Sequence, residues 1–341
     1  MKPLLLLLSL LVSTTLVAQE TSSPPPLVNT LKERITLSGY AQAGFSTDNA
    51  DGGHAEFDIK RIIFMAEGKI TDRWKCYFMY DLGPGNQLLE LYVEYRFLPW
   101  LSARVGEFKT MYTIENPMSP CNVELINCYA QGVSYLAGVN GSDPLYGATS
   151  GRDLGLLVYG TLPGGWADYN LAMMNGQGVN TKDRNRAKDL VGSLTIHPLK
   201  WLSLNGSFIR GEGCAVATSA YNPDIAVGEN YRRNRWSAGI LVKTRPVTVR
   251  AEYLEGTDGT VKSRGGYLST TVRLFKELDA VASIDYFDKN RQWSDASQTN
   301  STIGLQYHFY PRCRLQAQYT HRNPREGAGS HLFQTQLQIR F

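Results

Sequence analysis

Apolar and polar residues alternate with period two along most of this chain. In Trp74-Lys75-Cys76-Tyr77-Phe78-Met79-Tyr80-Asp81-Leu82 one face carries Trp74, Cys76, Phe78, Tyr80 and Leu82, and the other Lys75, Tyr77, Met79 and Asp81. Successive side chains of an extended strand point to opposite sides, so such a segment has one greasy face and one wet face. The same division sets Leu89, Leu91, Val93 and Tyr95 against Glu90, Tyr92, Glu94 and Arg96, and Val247, Val249, Ala251 and Tyr253 against Thr248, Arg250 and Glu252. It recurs in Phe333, Leu337, Ile339 and Phe341 against Gln334, Gln336, Gln338 and Arg340. A repeated period-two code with charges on one face predicts an antiparallel sheet that meets water on that face.

Sixteen segments of this kind begin near Ile35, Asp58, Trp74, Leu88, Leu101, Arg152, Asp168, Asp189, Leu202, Arg235, Val247, Tyr267, Ala280, Thr302, Arg314 and His331. Seven connections are tight: Thr71 to Arg73, Leu98 to Trp100, Leu162 to Gly165, Pro198 to Trp201, Thr244 to Pro246, Phe275 to Leu278, and Tyr310 to Arg312. The other eight read as longer and polar, among them Ser46 to Phe57, Asn175 to Lys188, Gly211 to Tyr231 and Asp288 to Asn300. An even-stranded meander with short turns at one end and long loops at the other predicts an all-β fold, a sixteen-stranded antiparallel transmembrane β-barrel. A soluble β-sandwich would also alternate. Against it, Trp74, Trp100, Trp166 and Trp201 collect in or beside the short turns, as an aromatic girdle at a membrane interface would. In lipid an open strand edge leaves peptide groups without partners, so the sheet must close. Sixteen strands enclose more space than side chains fill, which predicts a water-filled channel.

Ahead of the first strand, Met1, Lys2 and Pro3 precede an apolar run from Leu4 to Val12 broken by Ser9, with Leu16, Val17 and Ala18 beyond it. A basic start, a short apolar stretch and a small residue predict a secretory signal peptide over 1–18, since the run falls short of the roughly 20 apolar residues of a spanning helix. No Cys follows the expected cut, which argues against a lipid anchor. Residues 19–34, with Pro24, Pro25 and Pro26 together, read as an extended tether, and 35–341 as the barrel domain.

One connection departs from the pattern. After Lys109 no strand-like segment appears until Gly151-Arg152, which assigns about 40 residues to the third long loop. So long a stretch is uncommon unless it is functional. Gly39-Tyr40-Ala41-Gln42, Phe57 to Gly68, Val105-Gly106-Glu107-Phe108-Lys109, Thr113-Ile114-Glu115-Asn116-Pro117, Gly151-Arg152-Asp153-Leu154-Gly155 and Asn175-Gly176-Gln177-Gly178 occur in this order. Together they resemble the phosphate-selective porin O and P family, in its Bacteroides-like branch. The resemblance implies a porin of the Gram-negative outer membrane that passes small hydrophilic solutes, phosphate or other anions included. It further implies a homotrimer and a third loop folded into the lumen as a constriction, placing Glu115, Asn116 and Glu124 there.

An anion path calls for fixed cations that focus the potential and replace part of the anion's hydration. Lys75, Arg104, Arg233, Arg235, Arg250 and Arg314 fall on wet faces, and Lys109 matches the Gly-Glu-Phe-Lys tag. Arg61 lies on a family tag, but Lys60 and Arg61 point to opposite sides of a regular strand, so its facing stays open. Asp81, Glu90, Glu94 and Glu252 share these faces. Between Thr110 and Gly151 there is no Lys or Arg, only Glu115, Glu124 and Asp143, a departure from a phosphate trap. The reading is a general or mildly anion-favouring porin.

Composition narrows the alternatives. With 43% hydrophobic and 19% charged residues and a formal charge of +4, disordered, collagenous and nucleic-acid-binding classes drop out. An outer-membrane barrel enzyme of lipase or protease type is the competing class; it needs a His beside a nucleophile or a carboxylate. His54, His197, His308, His321 and His331 are scattered with no recognisable spacing, and no metal or cofactor motif is present. Cys76 and Cys313 fall on lipid-type faces. Cys121 and Cys128 share the third loop, where either a disulfide or two packed thiols fits an oxidising compartment.

Overall fold

The computed structural model describes residues 33–50, 52–139, 144–147 and 149–341. The expected signal peptide, and the tether up to residue 32, lie outside the described residues. Residues 37–341 form one unit. Among the described residues the strands are β1 (Ile35–Asp48), β2 (Ala55–Lys69), β3 (Trp74–Asp81), β4 (Gln87–Leu98), β5 (Leu101–Lys109), β6 (Arg152–Thr161), β7 (Ala167–Met174) and β8 (Asp189–Leu199). They continue as β9 (Leu202–Cys214), β10 (Asn230–Lys243), β11 (Val247–Asp258), β12 (Val261–Arg273), β13 (Leu278–Asp288), β14 (Ser297–Tyr310), β15 (Cys313–Pro324) and β16 (Ser330–Arg340). Each pairs with its chain neighbours, and β1 closes on β16 in antiparallel register from Tyr40 opposite Arg340 to Asp48 opposite Leu332.

The alternation in the sequence becomes an inversion of the usual globular arrangement. Leu171, Met173, Leu190, Leu194, Ile303, Leu305, Leu315 and Leu337 are exposed on the outer wall, whereas Gln316, Gln318, Gln334, Gln336 and Gln338 are buried inside. A water-soluble domain does not present so large a continuous apolar surface; hydrocarbon is the solvent that suits it. Trp74, Trp100, Trp166 and Trp201 are exposed at the short-turn end, and Trp74 lies 4.6 Å from Tyr95, ring centre to ring centre, across the sheet. At the long-loop end Trp236 and Tyr253 pair at 5.5 Å. Two aromatic belts of this kind bracket a bilayer.

Several details differ from the sequence reading. The connection between β11 and β12 is a two-residue turn of Gly259 and Thr260, not a long loop. Strands β10, β12 and β14 start at Asn230, Val261 and Ser297, ahead of the expected Arg235, Tyr267 and Thr302. The sheet there rises beyond the apolar band, with pairs such as Arg233 with Asp258 and Arg264 with Asp288, so both faces are polar and the period-two signal vanishes. In β2 the alternation slips by one residue: Phe57 and Ile59 are exposed, yet Ile63, of the same parity, is buried. All five cysteines are free thiols. Cys121 packs with Tyr40, Ile63, Met79 and Leu89, and Cys128 with the separate main cluster, so no disulfide joins them. Cys313 is buried, its Sγ 3.7 Å from the Arg340 carbonyl, instead of open to lipid.

Gly106 is the tightest point of the wall near the third loop. Its φ is +135°, and a Cβ there would stand 2.2 Å from the Leu91 carbonyl oxygen and 2.7 Å from the Tyr92 Cα. Gly106→Val is expected to lower sharply the fraction of chain that refolds in detergent to the heat-modifiable form, whereas Gly165→Ala, at an open turn tip, keeps most of it; electrophoresis without boiling measures both.

Candidate solute path and constriction loop

Between β5 and β6 the described residues 110–139, 144–147 and 149–151 lie across the interior. They contain a short 3-10 turn, Pro120–Asn122, and a helix α1, Gln131–Ala137, stopped by Gly138 at φ +68°. The two ends of the loop are stitched together: Thr110 N–H donates to the Gly151 carbonyl at 2.9 Å, and the Asn116 amide donates to the Thr110 and Gly151 carbonyls at 2.7 and 3.0 Å. Lys109, at the root, donates from Nζ to the Asn116 and Met118 carbonyls at 2.8 and 2.5 Å and lies 3.1 Å from the Tyr129 hydroxyl. Loop oxygens thus take the place of water around this cation.

The far wall grips the loop at intervals. Thr113 N–H donates to Ser207 Oγ of β9 at 2.9 Å, and Ile114 N–H to the Glu252 carboxylate of β11 at 3.0 Å. Arg250 reaches Glu115 at 3.1 Å and Glu124 at 2.8 Å. On β15, Arg314 donates to the Val123 carbonyl at 2.6 Å, while Gln316 and Gln318 both donate to the Glu124 carbonyl. Helix α1 rests on β11 and β13, where Tyr135 meets Phe287 at 5.2 Å, and Gln131 bonds Asp285. Burial pushes the Glu115 carboxyl above its ordinary range, Arg250 and the Ala130 N–H pulling the other way. The loop is therefore fastened from β5 to β15.

The cations singled out in the sequence all lie inside the barrel, but most are engaged. Arg233 pairs with Asp189 at 2.6 Å, donates to the Gly176 carbonyl and lies 4.1 Å from the centre of the Tyr146 ring. Arg235 pairs with Asp258 at 3.1 Å, its side chain wholly buried. Arg104 meets Glu94 at 2.9 Å and covers the Tyr92 ring. Lys75 is half-exposed beside Glu67 at 3.6 Å. Arg61, past the slip in β2, donates to Gln42 at 3.0 Å and, with Lys60, borders an interior cavity. Arg233 and Arg235, both singled out for the solute path, are covered on the inner side: the Tyr146 ring of loop 3 lies 4.1 and 5.8 Å from their guanidiniums, and the Gly176 carbonyl accepts from Arg233.

Open space lies on either side of the loop. Toward the short turns a cavity of about 310 Å³ is bordered by Arg245, Arg273, Arg312, Arg314, Arg340 and His308, with Glu124 and Asp279 as its carboxylates. Toward the long loops a cavity of about 530 Å³ holds Lys60, Arg61, Lys289 and Arg322 with Asp58. Sequence reasoning weighed mid-strand charges and missed Arg245 and Arg312, which sit in the short turns; their turn position was the available signal. It also missed a constellation from three strands: His197 lies 2.9 Å from both Ser203 Oγ, through Nδ1, and Asp168 Oδ2, through Nε2.

A closed barrel, apolar outside and polar within, with a loop fastened across its lumen, is a porin: an outer-membrane channel for passive diffusion of small hydrophilic solutes. The sequence model of phosphate-selective porin O and P matches residues 33–201, and the chain belongs to that family. Among solved structures, OmpT of Vibrio cholerae in its trimer form is similar at TM-score 0.66 and 9% identity over 90% of this chain and 99% of that one. The outer membrane channel DcaP of Acinetobacter baumannii gives 0.61 and 10% over 90% and 97%, and Salmonella typhi OmpF with daunomycin 0.64 and 10% over 90% and 97%. At such identities the likeness is one of fold. No curated protein matches the sequence.

Removing one member of a buried ion pair costs about 3–5 kcal/mol, because the other is left uncompensated. Arg250→Met is accordingly expected to loosen the loop, seen as a higher and noisier single-channel conductance and as faster proteolysis within residues 110–139. Adding Glu115→Gln should recover part of the wild-type behaviour, since it removes the more deeply buried of the two stranded carboxylates, Glu124 keeping some exposure.

Proposed function

We propose that this channel favours small anions, phosphate among them, and that its preference is set at the basic cavity on the short-turn side. The supporting observation is the charge imbalance there. Five arginines border the space, while its carboxylates are already engaged: Asp279 by Arg273, Gln306 and His308, and Glu124 by Arg250. Among the described residues, no carboxylate forms an ion pair with Arg245 or Arg312. In a low-dielectric cylinder, excess fixed charge of one sign raises the local concentration of the opposite ion. Among the described residues the acids of the loop do not cancel this, because Glu115 and Glu124 face Arg250.

In planar bilayers under a potassium chloride gradient the reversal potential should take the sign of chloride preference, and added phosphate should lower the chloride current. Arg245→Gln with Arg312→Gln should cut the chloride-to-potassium permeability ratio by about twofold or more with the fold intact. A cation-selective wild-type channel would overturn the reading.

We read the protein as a channel without a catalytic step. The Asp168, His197 and Ser203 chain is the observation that would favour hydrolysis. Against it, Asp168 is paired with Thr195 and Ser203 with Leu241 in the wall, and the His197 N–H donates to the Trp166 carbonyl, which leaves little free backbone N–H for an oxyanion site. Purified wild type and Ser203→Ala should be equally inert toward short-chain nitrophenyl esters; turnover lost in the variant would establish an enzyme. The assembly we read as a homotrimer, on the strength of the trimer form described for Vibrio cholerae OmpT.

A further inference from the structure

Outside the lumen, at the long-loop end, β15 and β16 place two imidazoles face to face. His321 and His331 are directly opposed in register, and both have the parity of Tyr319 and Phe333, which point outward. Their Nδ1 atoms are 3.3 Å apart, with ring centres 4.8 Å apart and planes 28° from parallel. The Tyr319 hydroxyl lies 2.6 Å from the same Nδ1 of His331. The backbone of His331 is held in turn by Asn49 of the first long loop, through its N–H at 2.6 Å and its carbonyl at 3.2 Å.

We propose that His321 and His331 form a two-imidazole chelate for a divalent d-block cation such as Zn²⁺, Ni²⁺ or Cu²⁺ on the outer face of the barrel, clipping β15 to β16. The separation carries the argument. Two nitrogens bound at about 2.0–2.1 Å to a tetrahedral ion stand about 3.3 Å apart, the distance already present. The two Nδ1 atoms stand side by side on near-stacked rings, and turning each ring about its broad χ2 well converges both lone pairs on a cation. Imidazole suits zinc, nickel and copper, and offers little to Mg²⁺ or Ca²⁺, which prefer oxygen. Among the described residues no cluster of three or more His, Cys, Asp and Glu side chains is placed to hold a metal, so this chelate is an open one, completed by water and the Tyr319 phenol. A rigid sheet supplies the preorganisation that a loop pair of histidines would lack.

Calorimetric titration of the tag-free barrel in detergent with Ni²⁺ should show a single saturable site, displaced by Zn²⁺ or Cu²⁺ and untouched by excess Mg²⁺. His321→Gln and His331→Gln should each weaken it about tenfold or more, whereas His54→Gln, at the same rim beside Glu56, should not. With Cu²⁺ in the wild-type protein, electron paramagnetic resonance should carry hyperfine splitting from two imidazole nitrogens, a readout independent of any variant. Absence of saturable binding, persistence of binding in the double His321→Gln and His331→Gln variant, or an oxygen-only copper signal would overturn the proposal.

Discussion

Hydrocarbon offers a peptide group no hydrogen bond, and this one constraint organises the whole molecule. Every N–H and C=O that crosses the bilayer must find its partner on a neighbouring strand, so the sheet has no free edge and β1 must seal on β16. Once the backbone is committed in this way, the side chains have only the two faces of the pleat to divide between lipid and lumen. Leu305 and Leu315 go to one, Gln316 and Gln336 to the other. Specificity can therefore be written only on inward positions, in the loops and at the mouths.

The interior inherits a second problem. A wall of Arg, Glu and Gln is sound while water reaches it, but the described part of the third loop, from Thr110 to Val139 above all, lies across the lumen and removes much of that water. Charges that lose their hydration must be paired or bound by oxygen. Arg250 does so with Glu115 and Glu124, Arg314 with the Val123 carbonyl, and Lys109 with two carbonyls and a phenol. The same contacts that relieve the buried cations fasten the loop, so constriction and ion pairing are one solution. Cations spent in this way are poor candidates for attracting a passing ion, because their fields are closed locally by their partners.

This explains which parts of the molecule were legible in the chain. Starts at Trp74 and Val247 were readable because the apolar band begins there and period two is a property of neighbouring residues. Asn230 and Val261 were not, since above the membrane both faces of the strand are polar and the ladder continues without a hydrophobic signature. Parity places Arg233 and Arg235 inside; it is silent on Asp189, Asp258 and Tyr146, which arrive from other strands and from the loop. The facing of Arg61 stayed open because parity sets it opposite Lys60, and the one-residue slip in β2 brings both to the same interior cavity. His197 meets Asp168 and Ser203 only through the pairing of β7, β8 and β9, and Cys121 and Cys128 part only because the loop sends them to different walls.

What remains for selectivity is decided by geometry more than by charge count. The net charge is +4, a modest excess over the whole chain, yet Arg245 and Arg312 concentrate theirs at the short-turn mouth beside Arg273, Arg314 and Arg340. Exposed charges are screened beyond about 8–10 Å at physiological salt, so a cation on the outer rim is felt weakly, whereas one at a narrow mouth lies within that distance of every ion that passes. The wall behind it, lipid-facing and of low dielectric, turns the field into the aqueous space instead of letting it spread. A barrel that must use its central cations to hold a loop can thus still bias traffic, provided the uncompensated ones stand where the path is confined and wet.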